Sequence, residues 1–294
     1  MKSDNKFVLV TDSSSDLPLS YVKVNNIPFI SLSFIFNDVS TKDDLGETND
    51  IKGFYKRMRD GEMPSTAQIN VGDFNEFFTP FLEKELDILY IGFSSGLSGS
   101  FNSSKISSLE LMKKYPLRKI VCIDSLCASL GEGLLVHLAV QKIKEGIDLE
   151  DLVNYLENTK QKICHWFTVD DLNHLFRGGR VSRASAVLGT LMSIKPILNV
   201  DENGKLVARE KIRGRKQALD ALIEKIAKYA VNIAEQTVFI SHGDCIEDAK
   251  YIEHIIRERF KVKDIIINLI GPVLASHAGP GTVAVLFLGK SRGL

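Results

Sequence analysis

Short apolar, β-branched runs that end in polar or glycine-rich turns recur along this chain of 294 residues, and stretches of helical period separate them. That alternation is the pattern of a largely parallel α/β sheet, because joining two parallel strands takes a crossover long enough to hold a helix. In the first half the spacing predicts strands over 7–11, 29–36, 88–93 and 120–123. Helices are expected over 50–59, 73–86, 103–114 and 134–144, where apolar residues fall three and four apart. A second series of strands starts at 164–169 and continues through 195–200, 206–210, 237–241, 264–269 and 282–288, interrupted by helices at 213–229 and 246–260. Between the two series, a helix over 149–162 opens behind Asp148, which has the chemistry of an N-cap. At roughly 150 residues per domain, the reading is an α/β protein of two domains. Residues 1–160 would form an N-terminal, largely parallel sheet with flanking helices, and residues 161–294 a C-terminal α/β domain with a mixed sheet.

Hydrophobic residues make up 44% of the chain and charged residues 25%, enough to bury a sizeable core and too apolar for wholesale disorder. Lys plus Arg number 37 and so do Asp plus Glu, and a chain with no positive excess is a poor nucleic-acid binder. The apolar runs at 27–36 and 283–288 fall well short of the ~20 residues that span a bilayer. The opening MKSDNKFVLVTD has only four apolar residues in a row, too few for a signal-peptide core. Cys122, Cys127, Cys164 and Cys245 form no C-x-x-C pair, so reduced thiols and a cytoplasmic location are expected. None of the six histidines lies in H-E-x-x-H or another close ligand spacing, and no metal is expected. Gly289-Lys290-Ser291 imitates the end of a P-loop, but its first glycine position is Ala284.

Three polar turns follow strands or lead into helices: Thr11-Asp12-Ser13-Ser14-Ser15-Asp16, Ser65-Thr66-Ala67-Gln68 and Ser94-Ser95-Gly96-Leu97-Ser98-Gly99. Taken singly, such residues are more often helix caps and turn formers; together, at the carboxyl ends of strands, they can build one polar site. Gly92-Phe93-Ser94-Ser95-Gly96 also matches G-x-S-x-G, and the chain order allows a serine hydrolase with Ser94 as nucleophile, Asp244 as orienting acid and His277 as base. Against that alternative, no HGGG-type oxyanion segment precedes Ser94. The loop Ser276-His277-Ala278-Gly279-Pro280-Gly281 suits a site histidine and a turn-packing one equally. Two basic segments stand out: Arg177, Arg180 and Arg183 around a Gly-Gly pair, and 205–216, where six basic residues face one acid. Such runs are usually solvated faces, and otherwise dock an acidic protein or a phosphate.

In order along the chain, Thr11-Asp12-Ser13, Ser65-Thr66-Ala67-Gln68, Ser94-Ser95-Gly96-Leu97-Ser98-Gly99, Ile123-Asp124-Ser125, Asp170-Asp171-Leu172 with Gly178-Gly179-Arg180, Lys195-Pro196-Ile197-Leu198 and His277-Ala278-Gly279-Pro280-Gly281 resemble the DegV family. The resemblance covers nearly the whole chain. It implies a two-domain DegV-like fold and a bacterial fatty-acid-binding protein of the FakB type, the non-catalytic binding subunit of fatty acid kinase in phospholipid metabolism. By the same resemblance, Thr66 and Ser98 would hold the acyl carboxylate, with His277 and Ser95 in the polar network, and the ligand would be one long-chain fatty acid such as palmitate, with no other cofactor. An ATP-dependent kinase would be the partner, docking on Arg177, Arg180 and Arg183, and the carrier would be a cytoplasmic monomer touching membrane surfaces only transiently. The turn departs from the family's usual S-T-S-Q-P-S, reading Ser65-Thr66-Ala67-Gln68-Ile69-Asn70, and keeps the threonine.

Overall fold

The computed structural model describes residues 7–182 and 193–293. The first half runs β1 (Phe7–Asp12), α1 (Leu19–Val24), β2 (Phe29–Ile30), β3 (Ser33–Phe36), β4 (Val39–Lys42), α2 (Ile51–Arg59), β5 (Ser65–Ala67), α3 (Val71–Glu83), β6 (Asp87–Gly92), α4 (Ser100–Lys114), β7 (Ile120–Asp124), α5 (Leu130–Lys144) and α6 (Leu149–Lys160). The second half runs β8 (Ile163–Thr168), α7 (Asn173–Arg177), β9 (Ile194–Val200), β10 (Leu206–Arg213), α8 (Arg215–Tyr229), β11 (Thr237–His242), α9 (Ile246–Phe260), β12 (Asp264–Leu269), α10 (Pro272–Ala278) and β13 (Val283–Leu288).

The fold is α/β, as expected. A four-stranded sheet in the order β2-β1-β6-β7 is parallel throughout. A six-stranded sheet in the order β10-β9-β8-β13-β11-β12 is mixed, with only β11 and β12 parallel to each other. The run 29–36, read as one strand, is two: Phe29–Ile30 joins the parallel sheet and Ser33–Phe36 crosses into a small antiparallel sheet, β4-β3-β5. The break falls at Ser31-Leu32, where the Leu32 N–H donates to the Ser13 hydroxyl instead of to a strand neighbour.

One helix joins the two large sheets. α5 packs on β6 of the first and on β8, β11 and β13 of the second. Leu130, Leu134, Leu135, Val136 and Ala139 are buried on several of its sides, the habit of a helix with no solvent face. Its Gly131 and Gly133 lie where a Cβ would run into His165 and into the Ser15 carbonyl. A continuous core therefore extends from Leu9, Leu89 and Ile91 through α5 to Phe167, Phe239 and Leu286. A second core lies beyond the parallel sheet, where Phe74, Phe78 and Tyr90 meet Phe34, Phe54 and Val273.

Candidate carboxylate and acyl-chain site

A cavity of about 440 Å³ opens where the small antiparallel sheet, α10, the loop after β6 and the cavity face of β8 and β13 converge. That volume lies within the range of pockets that enclose an organic ligand. Most of its wall is apolar, from Leu32, Phe93, Phe167, Leu206, Ile270 and Leu274 among others, while Thr66, Gln68, Ser98, Arg180 and His277 gather on its polar part.

Each polar residue is placed by its own segment. Thr66 is the middle residue of β5, paired opposite Phe34 of β3. Ser98 ends the turn before α4, and its hydroxyl accepts the Ser100 N–H at 3.2 Å and lies 3.0 Å from the Ser100 hydroxyl. Ser100 in turn accepts the Ile69 N–H at 3.1 Å, which ties the serine loop to the threonine turn. His277 occupies the last turn of α10, a short helix that Pro272 starts behind Gly271. Its Nε2 lies 2.9 Å from Thr66 Oγ1. The Arg180 guanidinium donates to the carbonyls of Leu97 and Gly178 and lines the cavity between them.

Burial, and after it the charge of Arg180, pulls His277 down to about 4, so the imidazole is neutral near pH 7 and carries one N–H. Its Nδ1 is buried without a hydrogen-bond partner. A buried orphan N–H is rarer and dearer than an orphan lone pair, which assigns the proton to Nε2. Nε2–H then donates to Thr66 Oγ1, and the threonine O–H is left free to donate into the cavity. Arg180 stays a cation, although burial lowers it from the usual arginine value. The polar part of the cavity thus offers hydroxyl donors and one guanidinium, the chemistry that receives an anion.

Gly178 makes this packing fit, because a Cβ there would stand 2.2 Å from His277 Nδ1. Gly178→Ala is expected to push the ring off Thr66 and to weaken anionic ligand binding about tenfold, the loss of a good hydrogen bond. A calorimetric titration would check it, beside a melting temperature that changes little.

Three of the four residues expected to hold a carboxylate, Thr66, Ser98 and His277, meet at the cavity. Ser95 does not: it is exposed, and its N–H donates to the Asp124 carboxylate at 3.2 Å. Of the arginines expected to dock a partner, Arg177 is exposed, Arg180 faces the cavity, and Arg183 lies outside the described residues. The hydrolase triad is not assembled. Ser94 is buried and donates to the Gly204 carbonyl at 2.8 Å, His277 pairs with Thr66, and Asp244 pairs with Arg59. In the basic run 205–216, Arg215 is bound by Asp170 and Asp248 and Lys216 by Asp220. The sequence reading passed over Gln68 and Arg180 as wall residues, although both stood in the motifs it singled out.

The family model described as "Uncharacterised protein, DegV family" matches residues 6–290. The chain belongs to the DegV family. It is 45% identical over 287 residues to the DegV domain-containing protein CPE0026 of Clostridium perfringens, covering 98% of this chain and 99% of the relative. A Thermotoga maritima relative named fatty acid-binding protein is 33% identical over 282 residues, 95% of this chain and 96% of its own. The crystal structure of DegV, a fatty acid binding protein from Bacillus subtilis, superposes with a TM-score of 0.83 at 30% identity, covering 97% of this chain and 99% of that one. Among the described residues of this DegV protein, no helix is long and apolar enough to cross a membrane.

Proposed function

We propose that this DegV protein binds one long-chain fatty acid in the cavity and presents its carboxylate to an ATP-dependent fatty acid kinase, which converts it to acyl phosphate. The observation that carries the reading is a single cavity, apolar along most of its wall, that ends on Thr66, Ser98, His277 and Arg180. Relatives at 30% identity or more that are named fatty-acid-binding proteins support it. Burial of each methylene is worth about 0.8 kcal/mol, so an acyl chain of ~16 carbons contributes on the order of 10 kcal/mol before ordering costs. The carboxylate accepts from the hydroxyls of Thr66 and Ser98, with Arg180 supplying the counter-charge. Ser98 also places it beside the N-terminus of α4, whose dipole favours an anion.

In the transfer, a carboxylate oxygen attacks the γ-phosphorus of ATP, the bond to the β,γ-bridging oxygen breaks, and ADP leaves. The groups that bind phosphate and Mg²⁺ are assigned to the partner. Exposed Arg177 and the basic loop with it are the proposed docking surface on a cytoplasmic, monomeric carrier. The proposed domain junction near residue 160 is in keeping with a cavity lined by segments of both halves, and α5 packs on the large sheet of each.

Native mass spectrometry of protein purified from cells should find one fatty acid bound per chain. Thr66→Ala and Ser98→Ala should each weaken retention by about ten- to a hundredfold, the loss of a hydrogen bond to a charged group. Equal retention by wild type and both variants would sink the site assignment.

A further inference from the structure

One residue of the cavity wall has a chemistry that a plain acyl chain does not use. His165 lies on β8 and shares the cavity face with Phe167, while the alternate residues Cys164 and Trp166 belong to the core on the other side of the sheet. It is 4% exposed, and its Nδ1 is buried with no hydrogen-bond partner. Gly131 of α5 presses on that edge of the ring: a Cβ there would stand 2.7 Å from Nδ1. Burial, then the charge of Arg292, pulls the imidazole down to about 3, so the ring is neutral and has one N–H. The cost ordering that applies to His277 puts the proton on Nε2, leaving Nδ1 as an orphan lone pair.

The strand register gives its depth. β8 and β13 pair Thr168 with Val283, Phe167 with Ala284 and His165 with Leu286. The head-group end is the Val283 end, because the Thr282 hydroxyl donates to the carbonyl of Ala278, the neighbour of His277. His165 lies three residues along the strand from Thr168, roughly 10 Å further in. An acyl chain held at Thr66 and Ser98 would bring its middle, not its head, past this ring.

We propose that His165 is a specificity-determining residue for fatty acids that carry an oxygen near mid-chain, its Nε2–H donating to a hydroxyl or keto oxygen of the ligand. The inference rests on the fatty-acid reading of the cavity. A methylene opposite the ring leaves the N–H dry and unpaired, and an oxygen at the right carbon pairs it.

The test titrates stearate, and a set of hydroxystearates with the hydroxyl stepped from the carboxyl half to the methyl half, into wild type, His165→Leu and His165→Gln. Wild type should favour one isomer over its neighbours by about three- to tenfold. Measured relative to its own stearate affinity, His165→Leu should lose that advantage, and His165→Gln, which retains an N–H donor, should keep part of it. A flat isomer profile in wild type, or an equally peaked one in His165→Leu, overturns the role of His165 and leaves the fatty-acid reading standing. If stearate itself fails to bind wild type, that reading falls and the inference falls with it.

Discussion

Arg292→Met is expected to destabilise the protein by about 3 kcal/mol. This side chain, which follows β13, is 2% exposed. Its guanidinium donates to the carbonyls of Ser125, Leu126 and Lys160, to the Gln161 side chain and to the Cys127 sulfur. Methionine keeps the packing volume and removes every donor, so the three carbonyls lose a buried partner, each worth ~1–3 kcal/mol when left unsatisfied. Relief of the desolvation of a buried cation offsets part of that loss. The segment 125–127 leads straight into Ala128 and Ser129 of the cavity wall, so Arg292 also fixes one side of the site. Thermal melts should show a drop of roughly 10 °C, at ~2–4 °C per kcal/mol for a chain of this order of size. The neighbouring Lys290 is exposed, and Lys290→Ala should stay within ~0.5 kcal/mol of wild type. A melting temperature for Arg292→Met within about 2 °C of wild type would refute the account.

The elements with strong periodicity were legible. The strand runs at 7–11, 88–93, 164–169 and 237–241 and the helix 246–260 lie where their patterns put them, because burial on one or both faces writes itself into the order of apolar residues. β5 was not legible as a strand: Ser65-Thr66-Ala67 has no apolar alternation, and only its ladder with β3 extends it. α10 read as a tight loop around His277, although Gly271-Pro272 was a usable start signal, since proline suits the first turn of a helix. Thr66, Ser98 and His277 could be gathered from their motifs, but not their geometry, which depends on contacts across 211 residues of sequence between Thr66 and His277. Arg180 shows the limit most clearly. Three arginines near a Gly-Gly pair look alike in sequence, and only the turn after α7 separates the one that faces the cavity from the one that faces solvent.

Across about pH 4 to pH 7, Asp43→Asn is expected to gain steadily on wild type in stability, reaching roughly 4 kcal/mol. Burial pushes the Asp43 carboxyl up to about 7 from an ordinary 3.8, and Asp44 and Asp12 add repulsion. The folded protein therefore holds this proton through a range in which the unfolded chain has already lost it. Unfolding releases the proton there, so the contribution is full below the ordinary value, declines as pH rises to about 7 and is level above it. Three pH units at 1.36 kcal/mol each set the size. His277 and His165, pulled down to about 4 and about 3, bend the wild-type curve the opposite way, so the difference between wild type and variant is the informative quantity. Asp43 Oδ2 has no hydrogen-bond partner, and it flanks Gly271 with Asp16 Oδ1, the acceptor of the Gly271 N–H. Asp16 is also pushed well up, chiefly by burial, with Asp43 adding to it. Asp16 holds the Gly271 N–H, with the Asp43 carboxyl beside it, at the start of α10, the helix that delivers His277 to Thr66. Ionising Asp43 sets a buried negative charge beside that anchor, so stability lost between pH 4 and pH 7 is lost where the site is held. Urea titrations of both proteins from about pH 4 to pH 9 would check it, and curves that run parallel throughout would refute it.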